Sequence, residues 1–150
     1  NFPNKVPLRK YLEDIIDANE KAHSVSKIAL GHVTKNVQSY FKRNGSKIDI
    51  FDTSKRFTIV TEARRTRASI RNDGISPCLT AKMGTGGNNV PIIYELKRKF
   101  TVKECLDLMG FPKKYKIRDN YQQSYKQVGN SICVKIVDRI SKNIIQALEQ

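Results

Sequence analysis

The chain has 150 residues, 39% of them hydrophobic, so it is long enough for one domain with a buried core and too short for two. Its 28 Lys and Arg residues outnumber 14 Asp and Glu, and the net charge of +14 favours a polyanionic partner. Nucleic acid is the leading candidate and an acidic membrane surface the alternative, while the absence of a long apolar run excludes a spanning helix.

Two helices are predicted in the first part of the chain. Apolar residues recur at three- and four-residue steps over residues 7–18, which is typical of an amphipathic helix with a proline at its start. A second helix is predicted from Ser24, as its N-cap, to Phe41. It is expected to end near Asn44-Gly45, a pair that favours turns.

Short strands and two loops are predicted next. Over residues 47–61 apolar and polar residues tend to alternate, which indicates short strands. Residues 62–73 are basic and weakly patterned, and residues 74–89 are rich in glycine. Both stretches are predicted to be surface loops. A further short strand is predicted over residues 90–94.

A capping box gives the clearest local signal. In Thr101-Val102-Lys103-Glu104 the Thr oxygen can accept from the Glu104 amide while the Glu carboxylate accepts from the Thr101 amide. The helix that begins here is expected to end at Gly110, because Pro112 prevents its continuation.

The last helix is predicted from Ser131 or Ile132 to Leu148. Its apolar residues share one stripe: Cys133, Ile136, Val137, Ile140, Ile144, Ile145 and Leu148. The elements together predict a small mixed α+β fold with a long C-terminal helix.

A cluster of arginines forms the first candidate binding site. It contains Arg64, Arg65, Arg67 and Arg71, and Lys55 and Arg56 precede it. Guanidinium groups offer planar forks of donors that can bind phosphate, or O6 and N7 of guanine. A solvated basic loop without a partner is the alternative, and the net charge favours DNA.

The glycine-rich stretch is the second candidate. Its glycines allow close backbone approach, and short neutral side chains suited to base edges accompany them: Thr80, Thr85, Asn88 and Asn89. A nucleotide-phosphate loop is the competing interpretation, but neither the Gly-Lys-Ser/Thr ending nor a GxGxxG pattern is present.

Two later segments carry a family resemblance. Met109-Gly110-Phe111-Pro112 and Lys126-Gln127-Val128-Gly129-Asn130-Ser131, at this spacing, resemble the last two motifs of the cytosine-5 DNA methyltransferases. That family transfers a methyl group from S-adenosylmethionine to a cytosine flipped out of duplex DNA. The resemblance extends from about Gly74 to the C-terminus and is weak over the first 60 residues.

The resemblance implies functional residues. Residues 74–89 are similar to the family's recognition loop, with Cys78-Leu79 at the position of a Thr-Leu or Cys-Leu pair. The expected DNA-binding residues are Arg64, Arg65, Arg67, Arg71, Cys78, Leu79, Thr80, Lys82, Thr85, Asn88 and Asn89. Asn130, Ser131 and Ile132 would form one wall of the S-adenosylmethionine pocket, and an N-cap for the last helix is the alternative role of this turn. Arg98 and Glu104 are expected in polar contacts, and Leu106, Met109 and Phe111 in the core.

No catalytic residue is expected in this chain. The family's nucleophile lies in a Pro-Cys-Gln context, whereas Pro77-Cys78 is followed by Leu79. The Glu-Asn-Val and Gln-x-Arg-x-Arg segments are also missing. Cys105 and Cys133 are expected to be small core residues. The cysteine spacing does not match a zinc site, so no metal and a reduced, cytoplasmic protein are predicted.

The resemblance therefore implies the C-terminal, DNA-reading part of a methyltransferase of the restriction-modification type, inactive alone. Residues 1–45 would be a helical segment, 46–112 the target-recognition domain and 113–150 the closing segment and helix of the catalytic domain. Expected partners are duplex DNA and the missing catalytic domain, in cis or in trans, and not a membrane. A homodimer through the last helix, or a mobile last helix, is also expected. The alternatives are a non-catalytic basic DNA-binding protein, the recognition subunit of a split methyltransferase, and a chromosome- or RNA-binding module.

Overall fold

The computed structural model describes residues 12–20, 22, 24–44, 57–86, 89–117 and 120–149. Its helices are α1 (Lys27–Asn44), α2 (Val102–Met109), α3 (Tyr121–Asn130) and α4 (Val134–Leu148). Its strands are β1 (Ile59–Thr61), β2 (Ser69–Arg71), β3 (Ile92–Ile93) and β4 (Arg98–Lys99), and short 3₁₀ turns occupy Leu12–Asp14 and Ala81–Thr85. The predicted mixed α+β class is confirmed.

An antiparallel sheet divides the molecule into two cores. Its strand order is β2-β1-β3-β4. Ile59 lies opposite Ile93 and Val60 lies opposite Ile92. Because successive strand residues point to opposite faces, Ile59 and Ile93 belong to one core and Val60 and Ile92 to the other. The short strand predicted for this region is confirmed in β1, but the alternation of apolar and polar residues is not, since Ile59 and Val60 are both buried.

Helix α1 covers one face of the sheet. Its buried residues follow a four-residue step along one stripe: Ala29, Val33, Val37 and Phe41. They pack against Val60 and Ile92. The helix ends at Asn44 as predicted, but the predicted N-cap was wrong: the Ser26 hydroxyl accepts from the Ala29 amide at 3.3 Å, and Ser24 instead forms a β-bridge with Arg98.

A buried ion pair joins β4 to α2 on the other face. The Thr101 hydroxyl accepts from the Glu104 amide at 3.0 Å and the Glu104 carboxylate accepts from the Thr101 amide at 2.8 Å, which confirms the capping box. The same carboxylate accepts from both terminal nitrogens of Arg98, at 2.7 and 2.9 Å. Arg98 also donates to the Asp17 carbonyl at 2.7 Å, so one side chain links three segments.

Helix α3 was not predicted. Asn120 caps it by accepting from the Gln123 amide at 3.1 Å. Tyr125 and Val128 are buried in the core under the sheet, and the Tyr125 hydroxyl donates to the Phe100 carbonyl. The ring of Tyr121 meets that of Tyr125 edge to face, with centroids 4.6 Å apart.

Other predictions need correction. The predicted first helix is described only from Leu12, and there a single 3₁₀ turn of three residues replaces it. Within the predicted basic loop, residues 69–71 pair with β1 as strand β2. The glycine-rich stretch is not simply a surface loop, because Met83 is buried in the core. Predictions for residues 1–11 and 47–56 lie outside the described residues.

Helix α4 leaves the body of the domain. It begins at Val134, and its first turn meets Gly110, where a Cβ would lie 3.3 Å from the Lys135 side chain. None of its residues is buried, and the predicted stripe faces solvent, with Ile140 40% and Leu148 81% exposed. Within the part of the chain that the structure describes, no helix combines the length and hydrophobicity needed to cross a membrane.

Candidate nucleic-acid interface

Three of the predicted arginines lie at the end of the β1–β2 hairpin. Arg64, Arg65 and Arg67 are exposed. The connection is held in shape from both sides, since the Arg64 amide donates to the Arg67 carbonyl at 2.8 Å and Asn36 of α1 donates to the Arg64 carbonyl at 3.0 Å. No ion pair joins these three guanidinium groups to another described residue. They are therefore presented to solvent on a supported backbone.

Arg71 differs from the other three. It forms a two-point pair with the Asp73 carboxylate, with nitrogen–oxygen distances of 2.7 and 3.3 Å. This hydrogen bonding lowers the pKa of the Asp73 carboxyl below its ordinary value, although burial opposes the effect. The pair uses two of the five N–H donors of Arg71 and places an anion beside them, which makes Arg71 a weaker phosphate ligand than the other three arginines.

Part of the glycine-rich stretch, residues 78–86, folds into a compact loop. We call it the recognition loop only because of the family segment that its sequence resembles. The Thr85 hydroxyl donates to the Lys82 carbonyl at 2.7 Å. Asn89 donates to the Gly86 carbonyl at 2.8 Å and to the Thr85 hydroxyl at 3.3 Å. Thr85 thus uses its donor within the loop, and Asn89, which follows the loop, donates back to it. Asn88 lies outside the described residues.

The recognition loop is half anchored and half open. Met83 is buried and Leu79 packs partly against the main core. In contrast, Cys78, Thr80 and Lys82 are exposed. Anchoring one set of side chains leaves the other set facing solvent.

Two glycines allow this loop to contact α3. A Cβ at Gly129 would lie 2.1 Å from the Thr80 carbonyl carbon. A Cβ at Gly84 would lie 2.5 Å from the Gln122 carbonyl oxygen and 2.6 Å from the Lys126 Cβ. This contact was not predicted from the sequence. Glycine is unfavourable in a helix, so Gly129 in Lys126-Gln127-Val128-Gly129 could have indicated that another segment approaches closely there.

The last residue of α3, Asn130, and the turn that follows it carry the predicted cofactor residues. The Ser131 amide and hydroxyl both donate to the Val128 carbonyl, at 3.1 and 2.6 Å. The residue that caps α4 is Cys133, which makes no side-chain cap bond, so Asn130 and Ser131 do not cap that helix. Asn130 and Ile132 are exposed.

These residues fit one wall of a pocket for an amphipathic ligand. Because the Ser131 hydroxyl has used its donor, its oxygen is left to accept from an amine or hydroxyl of a ligand. The exposed Asn130 amide can both donate and accept, and exposed Ile132 offers apolar contact. Ser131 also lines a shallow depression with Phe111, Tyr115 and residues of α2 and α3.

The three cysteines occupy different environments. Cys105 is buried, and burial raises the pKa of its thiol, which confirms it as a core residue. Cys133 is only half-buried, so its prediction as a core residue was wrong. Cys78 is exposed in the recognition loop. Among the described residues, no group of three or more His, Cys, Asp or Glu is placed to hold a metal ion.

Comparison with models of known protein families shows which family the chain belongs to. The family model described as C-5 cytosine-specific DNA methylase matches residues 1–146. The chain belongs to the C-5 cytosine-specific DNA methylase family. Methylases of this family use S-adenosylmethionine. The predicted family is thereby confirmed, and the match also covers the N-terminal residues, where the resemblance was weak.

Individual relatives are named as Type II methyltransferases. The chain is 28% identical to the Type II methyltransferase M.Bsp6I of Bacillus sp. (strain RFL6) over 151 aligned residues. This alignment covers 99% of the methylase chain and 44% of the relative. It is 38% identical to M.BanI of Aneurinibacillus aneurinilyticus over 78 residues, which are 49% of the chain and 17% of M.BanI. It is 39% identical to M.HhaI of Haemophilus parahaemolyticus over 80 residues, which are 50% of the chain and 24% of M.HhaI. In each case the chain spans less than half of the relative's length.

Proposed function

We propose that this chain is the DNA-recognition part of a cytosine-5 DNA methyltransferase that modifies cytosine in a specific duplex sequence, as part of a restriction-modification system. The observation that carries the proposal is the supported hairpin end with Arg64, Arg65 and Arg67 exposed, in a chain of this family with net charge +14. Exposed guanidinium groups on a fixed backbone suit phosphate binding, which supplies most non-specific affinity for DNA.

The recognition loop would add sequence selection. Phosphate contacts position a protein on the duplex, while base-edge contacts carry the sequence information. Thr80 and Lys82 are exposed and offer a hydroxyl and an ammonium group to a groove. Thr85 and Asn89 hold the loop together, so we assign them a supporting role rather than direct base contact. We assign Arg71 a secondary role because Asp73 already engages it.

The turn at Asn130, Ser131 and Ile132 would complete the cofactor site. S-adenosylmethionine, when bound, supplies an electrophilic methyl group on a sulfonium sulfur. The Ser131 oxygen would accept a hydrogen bond from the cofactor, Asn130 would orient a polar group, and Ile132 would exclude water from one side. The remaining walls would come from a catalytic part of the enzyme, in cis or in trans, and we infer that the chain alone transfers no methyl group.

The stripe on α4 supports the need for a partner surface. Its apolar side chains are 40 to 81% exposed: Ile136, Val137, Ile140, Ile144, Ile145 and Leu148. An apolar patch of this kind marks an interaction site. The catalytic part of the enzyme is the proposed occupant, and self-association of the chain is the outcome expected when that part is absent.

DNA binding can be tested with a charge-matched control. We expect the double variant Arg64→Ala/Arg65→Ala to weaken binding to a fluorescent duplex several-fold. Arg139→Ala/Lys142→Ala on α4 removes the same formal charge and should change binding less. Wild-type affinity should fall steeply between about 50 and 200 mM salt because bound counterions are released. Equal losses in the two double variants, or no salt dependence, would contradict the proposed interface.

A methyl-transfer assay addresses catalysis. The chain incubated with labelled S-adenosylmethionine and a cytosine-containing duplex should incorporate no label. Incorporation that disappears in Cys78→Ser would instead make Cys78 a nucleophile and overturn the division of roles. A reading frame that continues upstream into Pro-Cys-Gln would favour a single-chain enzyme over a split methyltransferase or a non-catalytic DNA-binding protein.

A further inference from the structure

The recognition loop and α3 touch backbone to backbone at two points. Thr80 meets Gly129 near the end of the helix, and Gly84 meets Gln122 and Lys126 nearer its start. The loop therefore runs antiparallel to the helix. Real Cβ atoms essentially never approach other atoms within 3.0 Å, so a side chain at either glycine would force a shift. At both glycines the nearest atom is backbone, which cannot swing away as the end of a side chain can, and the overlap is larger at Gly129, at 2.1 Å against 2.5 Å.

The contact explains why glycine stands at these two positions. Gly86 and Gly110 have φ of +80° and +81°, a conformation that favours glycine by itself. Gly84 and Gly129 have no positive φ. Glycine inside a helix is less favourable than alanine, so Gly129 weakens α3 locally. The packing of the loop against the helix, which glycine permits, offsets this loss.

The same contact determines which loop side chains face solvent. Seating the loop on α3 buries Met83 and leaves Thr80 and Lys82 exposed. A Cβ at Gly129 would lie 2.1 Å from Thr80, and real Cβ atoms stay beyond 3.0 Å, so a methyl group there requires the loop backbone to move by about 1 Å. Such a displacement would move every exposed side chain of the loop relative to a base pair. Hydrogen bonds to base edges tolerate little such movement, because their strength depends on distance and angle.

We propose that Gly84 and Gly129 are positioning residues for sequence selection. They fix the depth at which the recognition loop sits on α3, and so the register in which its exposed side chains meet base edges. Because Asn130 and Ser131 directly follow Gly129, the same contact also fixes the spacing between the loop and the cofactor turn. The inference rests on the proposed DNA-recognition function.

The test separates selection from general affinity. The wild-type chain, Gly129→Ala and Gly84→Ala are each used to select duplexes from a random-sequence pool. Gly31→Ala is the matched control, since it also replaces a helical glycine but its Cβ has nothing within 4 Å. Affinity for the unselected pool is measured at low salt, and hydrogen exchange of the β1 and β3 amides reports the folded fraction.

We expect wild type and Gly31→Ala to enrich the same sequence. Gly129→Ala should lose about tenfold or more in enrichment, the scale of one misplaced base contact, with a smaller effect for Gly84→Ala. Affinity for the pool should stay within about twofold, because phosphate contacts supply it. The folded fraction of both variants should stay close to that of wild type, so unfolding should account for little of the loss in enrichment.

Three results would be adverse. Unchanged enrichment in Gly129→Ala overturns the positioning role alone. Loss of enrichment only in proportion to loss of folded protein also overturns it, because the glycines would then be purely structural. If the wild-type chain enriches no sequence while Arg64→Ala/Arg65→Ala still weakens binding to the pool, sequence recognition by this chain fails and the positioning role fails with it.

Discussion

Removing the Glu104 carboxylate should destabilise the domain strongly. The Arg98 and Glu104 side chains are only 8% and 2% exposed, and Glu104 accepts from Arg98 twice and from the Thr101 amide once. In Glu104→Ala the guanidinium stays buried without its anion, which costs about 3–5 kcal/mol. Loss of the reciprocal cap adds about 1 kcal/mol. A domain of ordinary stability has about 5–15 kcal/mol in total, so this variant should be close to unfolding.

Graded variants make the magnitude measurable. Glu104→Gln keeps the shape and one acceptor but removes the charge, so a loss of about 1.5–3 kcal/mol is expected, the range for hydrogen bonds to charged groups. Replacing both partners, as in Arg98→Met/Glu104→Leu, should cost less than Glu104→Ala because no unpaired charge remains buried. Urea unfolding followed by circular dichroism gives each free energy, provided that the slope with denaturant is unchanged.

An exposed ion pair provides the control. Lys142 and Asp138 are 2.8 Å apart on α4, with side chains 71% and 56% exposed. Asp138→Ala should cost no more than about 0.5 kcal/mol, the usual value for such a helical pair. If Glu104→Ala cost no more than Asp138→Ala, the assignment of the buried pair as a central support of the fold would be refuted.

Three further predictions use simpler measurements. Ile140→Lys/Ile144→Lys should abolish any self-association of the chain in sedimentation without lowering its unfolding midpoint, since neither residue is buried; a lower midpoint would show that α4 packs on its own domain. Because Arg71 lowers the pKa of Asp73, the stability difference between wild type and Asp73→Asn should be present above the ordinary carboxyl pKa and disappear as pH falls through the lowered one; a difference that persists in acid would contradict the pair. A thiol reagent should label exposed Cys78 in the native state and Cys105 only on unfolding, since burial raises the pKa of Cys105, and mass spectrometry of the labelled peptides checks the order.

Local signals predicted the elements whose pattern lies in neighbouring residues of the sequence. The capping box before α2 needs only Thr101 and Glu104, which are three residues apart, and both of its hydrogen bonds are present. The stripe of α4 also follows from periodicity alone. The N-cap of α1 shows the limit: Ser24 and Ser26 are equally good caps by residue type, and the choice depends on the distant bridge from Ser24 to Arg98.

Elements that depend on distant partners were missed. Helix α3 has few apolar residues beyond Tyr121, Tyr125 and Val128, so its pattern is weak. It is stabilised by burial of Tyr125 and by the loop that lies along it. Strand β2 is short and depends on pairing with β1, which no local pattern reveals.

Some properties of the candidate site could likewise be predicted from the sequence, and others could not. Exposure of the hairpin arginines followed from composition and from the loop prediction. That Asp73 engages Arg71, and that the donors of Thr85 and Asn89 are used within the loop, depends on side-chain geometry. Residue type alone overestimates how many polar side chains in a loop are available to a ligand, since a loop without a large core is held together by the same groups.

Helix α4 connects the stability of this chain to its proposed function. Isolated helices shorter than about 12–15 residues are marginal in water, and α4, with 15 residues and none of them buried, is close to that limit. Burying one isoleucine or leucine contributes about 1.5–3 kcal/mol, so covering the stripe would contribute more than the helix can supply by itself. Order in α4 is therefore tied to whatever surface covers it. Because α4 begins three residues after Ser131, the same event would fix the turn proposed to hold the cofactor.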